Sequence, residues 1–135
     1  MRKFEFSDNQ NIQLDIAGNQ FAVSFSLELL NKLIPIGKKA IGYSKKIDDG
    51  EDQAKIAKDT ILLIRECLDE ILGNGACEKI FLGRKENFYD YIEVILFVSE
   101  EIENYRVQKE QKQMEIINKL NRSNEKNESL MERPS

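Results

Sequence analysis

Apolar residues in this chain follow two different periods, and the change between them constrains the fold more than any other feature. Ile12, Leu14 and Ile16 alternate with polar residues, as do Phe21, Val23 and Phe25. A period of two belongs to strands with one covered face. From Leu29 onward the apolar residues recur at every third or fourth position instead, as they do on helices. The predicted order is therefore a small antiparallel sheet followed by helices, an α+β arrangement.

Ala17-Gly18-Asn19-Gln20 separates the two alternating runs. Taking Gly18-Asn19 as a two-residue loop sets Ile16 opposite Phe21, Leu14 opposite Val23 and Ile12 opposite Phe25. Asn11, Gln13 and Asp15 then share the other face, whereas a slip of one residue would scatter the apolar set. Phe4 and Phe6 also alternate and are followed by the turn-rich Ser7-Asp8-Asn9-Gln10. They are expected to add a third strand. A meander of two or three strands needs cover for its apolar face.

Helices are expected to supply it. After Ser26, a candidate N-cap, Leu29, Leu33, Ile36, Ala40, Tyr43 and Ile47 form one stripe, with Pro35 expected to kink or divide the helix near Ile34. Asp48-Asp49-Gly50 breaks that pattern. A second stripe runs through Ala54, Ala57, Ile61, Ile64, Leu68 and Ile71 and stops at Gly73-Asn74-Gly75. A short amphipathic piece over residues 76–81 comes next. Asn87, with Asp90 three residues on, then opens a last helix striped by Phe88, Tyr91, Ile95, Val98, Ile102 and Tyr105.

Within residues 91–98 of that helix only Glu93 is polar. A turn that is apolar nearly all round is either central in its own core or covered by another chain, and the sequence leaves both open. Tyr91, Val94, Leu96 and Phe97 are the candidate partner or self-association surface. Beyond Arg106 the apolar stripe thins to Val107, Met114, Ile116, Ile117 and Leu120, enough for a solvated extension or a weak coiled coil. From Asn121 the composition is that of a disordered tail. The expected organisation is one α+β domain over residues 1–105, a β-meander on a bundle of three or four helices. A charged helical extension follows over 106–135 and frays into disorder.

Charge and composition exclude much. Residues 1–105 carry 13 Lys and Arg against 19 Asp and Glu, and residues 106–135 carry 7 against 5. An acidic body lacks the clustered basic surface that nucleic-acid backbones require. The chain has no histidine, and so lacks the commonest general base and zinc ligand. Cys67 and Cys77 are ten apart without further ligands, which reads as reduced thiols rather than a metal site. No signal-like apolar segment opens the chain, and no run approaches the roughly 18 residues of a membrane span.

Other chemistry reads better as structure. Gly73-Asn74-Gly75-Ala76-Cys77-Glu78-Lys79 lacks the order of a phosphate loop and follows a helix, where that mechanism needs a strand. Cys77 beside Lys79 has no histidine to activate it. Glu66, Asp69 and Glu70, and Glu100, Glu101 and Glu103, fall between stripe positions, on faces that water normally solvates. Arg84-Lys85 reads first as an exposed polar turn and second as an anion contact. No catalytic residue, metal or cofactor is expected.

The segment Leu68-Asp69-Glu70-Ile71-Leu72-Gly73-Asn74-Gly75-Ala76-Cys77-Glu78-Lys79-Ile80-Phe81-Leu82-Gly83-Arg84, between a β-meander with helix and an apolar helix, resembles the small tail assembly chaperones of long-tailed phages and prophages of Gram-positive bacteria. Leu82 stands where that family often has a small residue. The likeness extends over about residues 10–105 in organisation and over 68–84 in motif. It implies a non-enzymatic cytoplasmic protein, absent from the mature virion, that binds and solubilises the tape measure protein and self-associates, with neither nucleic acid nor membrane as partner. Two alternatives stand beside it: a small virion structural or tail completion protein, and an unrelated cytoplasmic helical regulator that dimerises through its last helix.

Overall fold

A computed structural model of the chain describes residues 1–6, 11–48 and 52–131, without the side chains of 40, 41, 44–48 and 125–131. The elements are β1 (Asn11–Ile16), β2 (Asn19–Ser24), α1 (Leu27–Asp48), α2 (Gln53–Leu72), α3 (Ala76–Ile80) and α4 (Phe88–Met131). The chain divides into two compact units, Met1–Ile102 and Glu103–Ser135. The first holds the hairpin, α1 to α3 and the start of α4.

The hairpin turns at Ala17-Gly18, not Gly18-Asn19. Ile16 opposes Asn19, Leu14 opposes Phe21 and Ile12 opposes Val23, a register two residues from the predicted one. Both turn residues have positive φ, 53° and 83°, as a two-residue turn that matches strand twist requires. Side chains lock it: Asp15 Oδ1 accepts from Gly18 N–H at 3.0 Å, and Asn19 Nδ2 donates to Ile16 O at 3.2 Å. Asn19 also donates to Lys79 O at 3.3 Å, tying the turn to α3. Because the displacement is even, Ile12, Leu14, Ile16 and Val23 remain on one face and are buried. Phe25 lies beyond the ladder.

Among the described residues the sheet has two strands. The expected third strand does not form: residues 1–6 have no regular structure, Phe4 and Phe6 are exposed, and the rings pack edge to face on each other at 5.0 Å. Ser7-Asp8-Asn9-Gln10 lies outside the described residues.

The helix ends follow their local chemistry. Ser26 Oγ accepts from Leu29 N–H at 3.2 Å and opens α1, which buries Leu29, Leu33, Ile36 and Tyr43. The helix passes through Pro35 undivided; that residue is exposed, so its ring displaces no core side chain. The Ala40 and Ile47 side chains, and Asp49-Gly50, lie outside the described residues. Asp52 caps α2 by accepting from Lys55 N–H at 3.3 Å. Ile61, Ile64, Cys67 and Leu68 form its buried stripe, with Thr60 Oγ1 donating to Ile56 O. Lys32 pairs with Glu70 across α1 and α2.

Gly73, at φ 113°, ends α2, and Gly75, at φ 83°, begins α3. Asp69 closes this corner by accepting the Cys77 N–H at 3.0 Å. Asn87 caps α4 by accepting from Tyr89 N–H at 2.9 Å. Tyr91, Ile95, Val98 and Ile102 enter the core, where Ile64, Leu68, Ile95, Ile102 and Val98 are almost wholly hidden from water.

The second unit continues α4. Arg106 pairs with Glu103 and with Glu110, the latter at 2.8 Å. Helix α4 runs as far as Met131, and residues 132–135 of the expected disordered tail lie outside the described residues. Residues 106–131 contain neither Gly nor Pro and are rich in Lys, Glu, Gln and Asn, so no helix breaker interrupts them.

Candidate functional site

Tyr91, Val94, Leu96 and Phe97 on α4 are the candidate partner or self-association surface, left open by the sequence between core and interface. They do not form one surface. Tyr91 is a core residue, 3% exposed, its ring stacked on Phe81 with centroids 4.1 Å apart. Its hydroxyl accepts from Arg65 Nη1 at 3.1 Å. Burial pushes the Tyr91 pKa up, while Arg65 pulls against that shift. Val94 is half-buried, whereas Leu96 and Phe97 are 47% and 39% exposed.

Successive helical residues are separated by about 100°, so Leu96 and Phe97 face different flanks, with exposed Glu93 and Glu100 between them. Leu96 shares its flank with Ile92 and Tyr89, the latter 62% exposed. Phe97 and Val94 turn toward the hairpin. There Ile16, Ala17, Glu93 and Val94 line two adjoining clefts of about 220 and 250 Å³. Ile80, Phe81, Arg84 and Asp90 complete the first, and Asp15 and Phe97 the second. The result is a shallow apolar groove with carboxylates on its rim; its one cation, Arg84, is paired with Asp90 at 3.1 Å.

A larger cleft of about 390 Å³ opens on the other side of the 81–84 turn, lined by Arg65, Cys77, Glu78, Leu82, Lys85, Glu86 and Tyr91 among others. The sequence reading had singled out Arg84-Lys85; it missed Arg65, a polar residue between stripe positions on α2 that carries no sequence signal of its own.

The remaining candidates resolve into structural roles. Burial, then the charge of Asp69, pushes the Cys77 thiol up to about 12, the reverse of an activated thiol. Cys67, also buried, is pushed up to about 11 by burial and by Glu70. Of the suspected carboxylate clusters, Asp69 holds a backbone N–H, Glu70 pairs with Lys32 and Glu103 with Arg106. Among the described residues no three His, Cys, Asp or Glu side chains group as a metal site would need, and no helix is long and apolar enough to cross a membrane.

A β-hairpin laid on helices, with apolar side chains left open along the last of them, defines a small α+β protein whose surface, more than its polar groups, stands out. The chain belongs to a family of unknown function, DUF6673, which it matches over residues 17–129. No curated protein and no solved structure matches it.

Proposed function

We propose that this protein is a phage or prophage tail assembly chaperone, which binds the tape measure protein in the bacterial cytoplasm and keeps it soluble until tail tube subunits polymerise around it. The observation that carries the reading is the set of apolar side chains left open on α4 within each unit. In the first unit Leu96 and Phe97 are 47% and 39% exposed; in the second, Val107, Met114, Ile116, Ile117 and Leu120 are between 36% and 60% exposed. Single exposed apolar residues are ordinary; so many on one helix give a partner several places to bury apolar side chains. The resemblance of residues 68–84 to the chaperones' helix-turn-helix segment supports the same reading.

The mechanism would be burial. Each apolar side chain of a client helix covered by this face loses contact with water, worth about 25 cal/mol per Å², and is withheld from other clients. Acidic Glu93 and Glu100 between the apolar flanks keep the unladen face hydrated. Co-expression with the tape measure protein tests it: the client should stay in the supernatant as a complex, and mass spectrometry of purified particles should not find the chaperone. Stoichiometric presence in particles would instead identify a virion component. Phe97→Asp should abolish client binding with helix content by circular dichroism unchanged; loss of the fold would make Phe97 core and remove it from the surface.

A second reading has its own support. Val107, Met114 and Ile117 recur at steps of seven and three on an exposed helix, a spacing that suits a paired helix. A cytoplasmic regulator that dimerises there would sediment as a dimer without any client.

A further inference from the structure

The cleft between α2, α3, the 81–84 turn and the start of α4 has features that the apolar face does not use. We propose that it binds a carboxylate carried on an apolar body the size of one or two amino-acid residues. The central group is Arg65, half-buried on α2. Among the described residues its partner is the Tyr91 hydroxyl, 3.1 Å from Nη1, and no carboxylate lies within ion-pair distance of it. A guanidinium has five donors in a planar fork; one is engaged here. Tyr91 is itself fixed by its stack on Phe81, so the arginine is held in place before any ligand arrives. Partial burial of a cation with no carboxylate in direct contact is costly, and a ligand carboxylate in the cleft would remove that cost through paired N–H donors.

The other lining residues select the kind of anion. Lys85 adds a second cation with no ion-pair partner among the described residues, while Arg84 is neutralised by Asp90 at 3.1 Å. Glu78 and Glu86 stand on the same walls. Two cations against two carboxylates leave the cleft without the net positive charge that a doubly charged phosphate needs, whereas one carboxylate can be met by the Arg65 fork alone. Phe81, Leu82 and Tyr91 provide apolar surface for the rest of the ligand. The volume, about 390 Å³, lies at the lower end of small-molecule sites, which run from roughly 300 to 1,000 Å³. A free carboxylic acid and the C-terminal residue of a polypeptide present the same chemistry.

Titration of the full chain by ¹H–¹⁵N NMR tests the proposal, reading the Gly83 and Lys85 amides and the Arg65 side-chain Nε–H. The probes are N-acetyl-leucine, its primary amide, an acetylated hexapeptide ending in leucine, and inorganic phosphate. N-acetyl-leucine should give saturable shifts, and the amide and phosphate should bind at least about tenfold more weakly, about 1.4 kcal/mol. Arg65→Gln should weaken N-acetyl-leucine at least tenfold, and Arg65→Lys by less. If Arg65→Gln fails to fold, Lys85→Gln on the exposed turn takes its place and should weaken binding several-fold. A hexapeptide that binds tenfold more tightly than the free acid identifies a chain terminus as the ligand; equal or weaker binding identifies a small acid. Equal binding of the amide, equal binding of phosphate, no saturable shift, or no loss in the folded variants would overturn the proposal.

Discussion

The hairpin turn permits a test that separates two registers with three substitutions. Ala17 occupies the left-handed region at φ 53°, where a side chain with a Cβ is strained by about 1–2 kcal/mol. Asn tolerates that conformation and Asn-Gly is the favoured pair for this turn, so Ala17→Asn should stabilise the fold by about 0.5–1 kcal/mol. Gly18, at φ 83°, has open space where a Cβ would stand, so Gly18→Ala suffers from the backbone alone, by about 1–2 kcal/mol. Asn19→Gly separates the registers. In a Gly18-Asn19 loop, glycine at 19 would be neutral or favourable. In the observed pairing it removes the bonds from Asn19 to Ile16 O and Lys79 O and puts glycine into a strand, a loss of about 1–2 kcal/mol. Thermal unfolding followed at 222 nm reads all three, with 1 kcal/mol corresponding to a few degrees in a chain of this size, about 2–8 °C. A stabilised Asn19→Gly together with a neutral Ala17→Asn would refute the register and the strain argument with it.

Two further outcomes follow from the corner between α2 and α3. Asp69→Ala leaves the Cys77 N–H without its acceptor and should lower stability by about 1–3 kcal/mol in urea titrations, more than Glu66→Ala on the exposed face. The two buried thiols have pKa values raised in the folded state, to about 11 for Cys67 and about 12 for Cys77. Unfolded thiols ionise first as pH rises above about 9 while the folded ones stay protonated, so their contribution is complete below pH 9 and is lost toward pH 11–12. The urea midpoint should fall across that window, and the Cys67→Ala, Cys77→Ala double variant should show a shallower fall.

Local signals were readable wherever the relevant partner lies within a few residues. Ser26 and Asn87 cap the helices they were expected to cap because a cap bonds two or three positions along the chain. The stop at Gly73 is of the same kind. The hairpin was legible as a hairpin, yet its register was not: pairs displaced by two residues present the same faces, and hydrophobic pattern cannot tell them apart. Turn geometry decides it, helped by Asn19 reaching Lys79, sixty residues away.

The last helix shows the same division. Its sequence announced an excess of apolar residues over 91–98, but not which of them meet the core. Packing against Phe81 and Arg65 draws Tyr91 inward, while Leu96 and Phe97, one residue apart, are sent to opposite sides of an acidic ridge. Arg65 gave no sign in the sequence, since a cleft is made by elements distant along the chain.

Sequence alone determined the order of elements, the caps at Ser26 and Asn87, the apolar face of each helix and the lack of histidine, because these depend on residue type and short spacing. Tertiary structure decided the strand register, the division of one apolar turn into core and surface, and the contact of Arg65 with Tyr91 in a cleft that Lys85 also lines. Each of those depends on which side chains come within a few ångströms after folding, and periodicity along a chain contains no such distance.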